Sequence, residues 1–109
     1  MLYAFFRKTI FGLMLHFGLY FLLAGEWKGK RMDMIAEWVR SCFQIPIKEY
    51  EKLMQAFNPI YFDADEWCGL AVAAGMKYIV VTTKHHEGFA LFDSKVDDYN
   101  IILDQFENR

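Results

Sequence analysis

The chain has 109 residues, 55% hydrophobic, 18% aromatic and 24% charged, with a formal net charge of −2. That length holds one domain at most, and so rich an apolar and aromatic content excludes a disordered chain. It is also more apolar surface than a small interior can hide, which points to a piece of a larger core. The 12 Lys and Arg residues are scattered rather than gathered into a stripe, which argues against a nucleic-acid partner.

Residues Met1 to Ala24 are strongly apolar. A leader peptide places its positive charges ahead of its apolar run, whereas here Arg7 and Lys8 follow Leu2, Tyr3, Phe5 and Phe6. His16 and two glycines interrupt what comes next, and the run from Thr9 to Ala24 is shorter than the ~20 residues a spanning helix needs. A buried strand followed by a loop is expected, without a membrane partner and with a cytoplasmic location. A small membrane-associated protein remains as an alternative reading of these first residues.

Phe11 to His16 (FGLMLH) is a short continuous apolar run, the pattern of a strand buried on both faces. Leu19 to Ser41 mixes aromatics, glycines and charges without a period, and reads as a long loop with a short helix around Met34 to Arg40. Long loops in compact domains usually carry function. From Ile47 to Phe57, Ile47, Tyr50, Leu53, Met54 and Phe57 share one helical face, and Asn58-Pro59 ends that helix.

Asp63 with Glu66 three residues on resembles a capping box. It opens a second helix whose buried stripe is expected to be Trp67, Leu70, Ala71 and Ala74, with Gly75 as a left-handed cap. Tyr78 to Thr83 (YIVVTT) is the clearest strand, rich in β-branched residues. A nearly apolar strand directly after a helix marks a central strand of a parallel sheet, and hence an α/β fold. The two cysteines, Cys42 and Cys68, make no CxxC pair; Cys68 falls in a helical apolar pattern and is expected to be a buried thiol.

All three histidines, His16, His85 and His86, fall at the C-terminal ends of expected strands. In parallel barrels that is where functional residues sit. A metal site is disfavoured, because neighbouring residues on a strand face opposite ways and no HxH or HxxxH spacing occurs. Sugar recognition fits better: imidazoles donate to and accept from hydroxyls, and aromatic rings pack on the apolar face of a pyranose. Glu37-Trp38 offers an acid beside an indole, although Glu26-Trp27 shows how unspecific that dipeptide is. Candidate carboxylates for glycoside cleavage are Glu37, Glu87, Asp93 and Asp97, none at the end of a further strand. Asp93 to Asp98 (DSKVDD) reads more easily as a solvated turn. No phosphate loop, dinucleotide fingerprint or nucleophile elbow is present, and no cofactor is implied.

The segments FGLMLHFGLY, AEWV, FNPIYFDADEW and AAGMKYIVVTTKHHEGFALFDSKVDDYNI together resemble the amino-terminal part of retaining α-L-fucosidases, over roughly Phe5 to Ile101. KYIVVTTKHHEGFALFDS is the specific part. The resemblance implies the amino-terminal portion of a (β/α)8-type barrel, residues 1–109 forming part of one catalytic domain, and a fucosylated glycan or fucoside as partner. It also implies that His16, Glu37, Trp38, His85 and His86 bind fucose. Many relatives carry Trp where Phe17 stands, and Asp where Glu87 stands. The resemblance places the aspartate nucleophile and the acid/base residue on later strands, beyond this chain. A whole barrel takes ~250 residues, so the isolated chain is expected to be inactive, at most a non-catalytic carbohydrate-binding remnant. The tail ILDQFENR departs from the family pattern, as a truncated or shifted reading frame would.

Overall fold

The structure, a computed structural model, describes residue 4 and residues 10–102. Most of the terminal tail and the first charged residues, Arg7 and Lys8, therefore lie outside the described residues. In chain order the elements are β1 (Leu13–His16), α1 (Tyr20–Leu23), β2 (Glu26–Trp27), β3 (Lys30–Arg31) and a 3₁₀ turn (Ala36–Trp38). Then follow α2 (Val39–Cys42), α3 (Ile47–Tyr50), a second 3₁₀ stretch (Glu51–Ala56), α4 (Ala64–Ala73) and β4 (Ile79–Thr82). They fall into two compact units, one formed by residues 1–16 and 59–82, the other by residues 17–58 and 83–109.

In the first unit β1 and β4 pair in parallel, with Leu13 opposite Ile79 and His16 opposite Thr82. Two strands joined in parallel through a helix are the α/β arrangement expected from the strand–helix–strand order. Backbone bonds from Lys77 N to the Phe11 carbonyl (2.8 Å) and from Leu13 N to the Tyr78 carbonyl (2.9 Å) lead into the ladder. Gly12 lies where a Cβ would collide with the Tyr78 ring, so the close approach of these two segments needs glycine.

Helix α4 begins as its sequence dictates: the Asp63 side chain accepts from Glu66 N at 3.0 Å, and Gly75 closes it at φ +81°. Its stripe is not buried as expected. Ala71 is buried, but Trp67 is 40% and Leu70 65% exposed, and Cys68 is exposed as well. The expectation that β1 is covered on both faces fails likewise, since Met14 is 60% exposed. One helix on a two-stranded sheet has too little surface to cover both faces of its strands.

The second unit holds the core: Leu19, Tyr20, Val39, Ile45, Tyr50, Phe57 and Phe89. The segment expected to be a long loop, Leu19 to Ser41, is in fact built of short elements. Strands β2 and β3 form a hairpin, Glu26 opposite Arg31 and Trp27 opposite Lys30. Its two-residue turn, Lys28-Gly29, has φ of +48° and +77°, both positive as a type I′ hairpin turn requires. The short helix expected around Met34 to Arg40 is present as the first 3₁₀ turn running into α2.

The helix expected over Ile47 to Phe57 is α-helical only through Tyr50 and then tightens into the second 3₁₀ stretch, a common way for a helix to finish. Its apolar face works as read: Tyr50 and Phe57 are buried, with Leu53 and Met54 packed against them. Ile47 stands out at 48% exposed. Among the described residues no helix is long and apolar enough to cross a membrane.

Candidate functional site

His16 is the last residue of β1 and is exposed at that strand's C-terminal end, where the sequence placed it. It belongs to the strand-pair unit. Glu37, Trp38, His85 and His86 belong to the other unit. Three of these four, Glu37, Trp38 and His86, line one cavity of about 240 Å³ together with Arg40, Ser41 and Glu87.

The side chains are placed by short local structures. Glu37 and Trp38 sit on the first 3₁₀ turn, closed by Trp38 N donating to the Ile35 carbonyl at 3.1 Å. His85 and His86 lie in the segment after β4, where Gly88 N donates to the His85 carbonyl at 3.0 Å and Gly88 takes φ +85°. That turn frees the two histidines from strand alternation. Their rings meet edge to face at 4.3 Å between centroids. The His86 ring then lies over the Trp38 indole at 4.0 Å, inclined by 30°. His85 meets the edge of the Tyr20 ring at 5.5 Å.

The segment that follows is tied back by Leu91 N to the Thr83 carbonyl (2.8 Å), Ala90 N to the Tyr99 carbonyl (3.1 Å) and Ile101 N to the Ala90 carbonyl (2.9 Å). Asp93 to Asp98 is the surface turn expected: Tyr99 N donates to Asp97 Oδ1 at 3.0 Å and Val96 N to Ser94 Oγ at 3.2 Å. Lys84 pairs with Asp97 at 3.1 Å, both well exposed, so the pair adds little stability. Asp97 is therefore a turn-forming residue, and Asp93 pairs with the exposed Lys95. Among the described residues no group of three His, Cys, Asp or Glu side chains comes together as a metal-ligand set.

Glu87 is not a solvent-facing acid. It is 6% exposed, and its carboxylate accepts from Leu19 N (3.1 Å), Tyr20 N (3.2 Å) and the Tyr50 hydroxyl. Burial raises its pKa above the ordinary carboxylate range, against the lowering effect of those three hydrogen bonds. The surrounding phenols respond in kind. Tyr20 is pushed up to about 12, by burial first and then by Glu87 and Glu37. Tyr50 is raised by burial and by its bond to Glu87. The sequence pattern did not single out Arg40, Ser41 or Tyr20, and it placed Tyr50 on an apolar helix face rather than at the site. Arg40 and Ser41 could have been found only by following α2 one turn past Glu37-Trp38.

A cavity lined by an indole, a carboxylate and an imidazole is suited to a polar ring with one apolar face. Comparison with known proteins points the same way. Residues 1–106 match the family pattern of Alpha-L-fucosidase. The chain belongs to the α-L-fucosidase family. It is 32% identical to human plasma α-L-fucosidase over 99 residues, covering 84% of this chain and 21% of that protein. Human tissue α-L-fucosidase is 33% identical over 100 residues, again 21% of its length.

Among solved structures, α-L-fucosidase AlfC from Lactobacillus casei in complex with α-L-fucose product superposes with a TM-score of 0.89 at 53% identity, over 93% of this chain and 32% of that one. An α-L-fucosidase from Bacteroides thetaiotaomicron, trapped as a covalent intermediate, gives 0.80 at 46% identity, over 83% and 21%. The fold is thus the amino-terminal part of the α-L-fucosidase barrel. The chain spans about a fifth of the length of the curated relatives it matches.

Proposed function

We propose that these 109 residues supply the fucose-holding side of a retaining α-L-fucosidase, as part of its catalytic domain, with a fucosylated glycan or fucoside as substrate. The supporting observation is the cavity that joins Glu37, Trp38 and His86, in a chain whose backbone follows that of a fucosidase complexed with α-L-fucose. In this reading the Glu37 carboxylate accepts from ring hydroxyls and the exposed part of the Trp38 indole packs on the C–H face of the sugar. His86, held against Trp38, donates to a further hydroxyl. His85 is a further fucose ligand of this unit; for His16, on the strand-pair unit, the same role rests on the family resemblance alone.

Retaining cleavage needs two carboxyl groups about 5–5.5 Å apart across the scissile bond. Glu87 cannot serve as one of them, because its oxygens are committed to Leu19, Tyr20 and Tyr50. The chain therefore binds, and the carboxylates that cleave come from the further length its relatives possess. The test is a titration of the chain with L-fucose followed through its histidine NMR signals, alongside an aryl α-L-fucoside assay. Saturable binding that disappears in Trp38→Ala, with no turnover, is expected. No binding at millimolar fucose would remove the sugar reading, and reproducible turnover would remove the division of labour.

A further inference from the structure

The carboxylate of Glu87 joins three separate stretches of the second unit: the Leu19–Tyr20 backbone, the Tyr50 hydroxyl and the turn that carries His85 and His86. Those contacts bridge 68, 67 and 37 positions of sequence. Both sides of the junction touch the histidines. Glu87 directly follows His86, and Tyr20, whose amide it holds, packs its ring edge against His85 at 5.5 Å. Gly18 is the residue that makes room: a Cβ there would fall on Glu87 Oε1 and lie 2.8 Å from the Tyr20 ring.

Taking a carboxylate out of water is costly, and here that cost is offset by the two backbone N–H groups and the phenol it satisfies, all of them buried. What an apolar chain cannot supply is direction: three donors aimed at two oxygens fix where residue 87 sits, and with it the turn before it. We infer that Glu87 is a positioning residue for the sugar pocket, holding the His85–His86 turn so that the His86 ring stays against Trp38. This rests on the fucose reading above only for the ligand; the ring placement is a separate observable.

The experiment compares the chain with Glu87→Met and Glu87→Gln by three readouts: denaturant unfolding, the His86 imidazole proton shifts, and L-fucose titration. The Trp38 indole at 4.0 Å displaces the His86 signals through its ring current, and only three histidines contribute to that spectral region. Expected for Glu87→Met is a less stable but still folded protein, since three buried donors lose their acceptor, whose His86 signals move to ordinary positions and whose fucose affinity falls about tenfold, the worth of one well-aligned charge-assisted hydrogen bond. Glu87→Gln, which retains one carbonyl acceptor, is expected to recover part of both. Unchanged His86 signals with affinity within about twofold of the original in a folded variant would overturn the assignment. If Glu87→Met does not fold, Glu87→Gln and Tyr50→Phe give the same ring-current comparison, and unmoved His86 signals in both again refute it. Should the unaltered chain bind no fucose, the functional reading falls while the His86 signals still decide the positioning role.

Discussion

Gly18→Ala is the most informative single change, because the structure separates its cost from ordinary glycine effects. Gly18 is not among the residues with positive φ, so alanine meets no backbone penalty there. The obstacle is space. The new Cβ would fall on Glu87 Oε1 and 2.8 Å from Tyr20 Cε1. Neither neighbour yields easily: Tyr20 is 3% exposed within the core, and the Glu87 oxygens are held by three donors. Overpacking costs about 1–3 kcal/mol, and displacing the carboxylate from one of its bonds costs about 1.5–3 kcal/mol more. The expected loss is roughly 3–6 kcal/mol, a large share of the ~5–15 kcal/mol that holds a domain folded. Gly29→Ala is the internal control. At φ +77° with nothing within 4 Å of its Cβ, it bears only the left-handed backbone cost of about 1–2 kcal/mol. Urea unfolding followed by far-UV circular dichroism measures both. A Gly18→Ala loss below about 1 kcal/mol, or one no larger than that of Gly29→Ala, would show that the Glu87 junction is loose and would refute the reasoning.

Two further outcomes follow from the same unit. Phe89 is 1% exposed between Phe57 and Tyr99, at 5.6 and 5.3 Å between ring centroids; Phe89→Ala is expected to cost about 3–5 kcal/mol by equilibrium unfolding. The buried Glu87 carboxyl has a raised pKa, chiefly from desolvation, so the folded chain keeps its proton to higher pH than the unfolded chain does. Its contribution is therefore fully present below the unfolded carboxylate pKa and is lost as pH rises through the raised folded value. Unfolding free energies measured across the weakly acidic range should fall with pH in the unaltered chain relative to Glu87→Gln, and parallel curves would count against the burial effect.

How much of this was legible depended on how far apart in sequence the partners lie. Asp63 with Glu66, and Gly75 at the other end of α4, act within a few residues, and the sequence placed both correctly. The strands β1 and β4 were visible for the same reason, as runs of apolar and β-branched residues. The Lys28-Gly29 hairpin was missed because its strands are two residues each, too short for alternation to register. The site divided along the same line. The sequence alone could place His85 and His86 at a strand end, and set Glu37 beside Trp38. It could not tell that Glu87 faces inward while His86 faces out, since that is decided by donors at Leu19, Tyr20 and Tyr50.

The misread burial of the strand-pair unit has a different origin. The sequences of β1 and β4 carry the continuous apolar pattern of strands covered on both faces, yet Met14 is 60%, Val80 40% and Val81 45% exposed. Leu70 and Val72 on α4 are exposed at 65% and 73%. The other unit shows no such mismatch at its centre, where Tyr50, Leu19 and Val39 are fully enclosed by residues near them in the same unit. A pattern of apolar residues encodes the surroundings for which a strand is suited. In a parallel barrel those surroundings are neighbouring strands on both edges and helices outside, and a pair of strands with a single helix provides only part of them. The residues proposed to hold fucose escape this dependence to the extent that their supports are local. Trp38 against His86, and Glu87 against Tyr50, are made within one unit, so the cavity beside them can be specified by a chain whose strands are still partly uncovered.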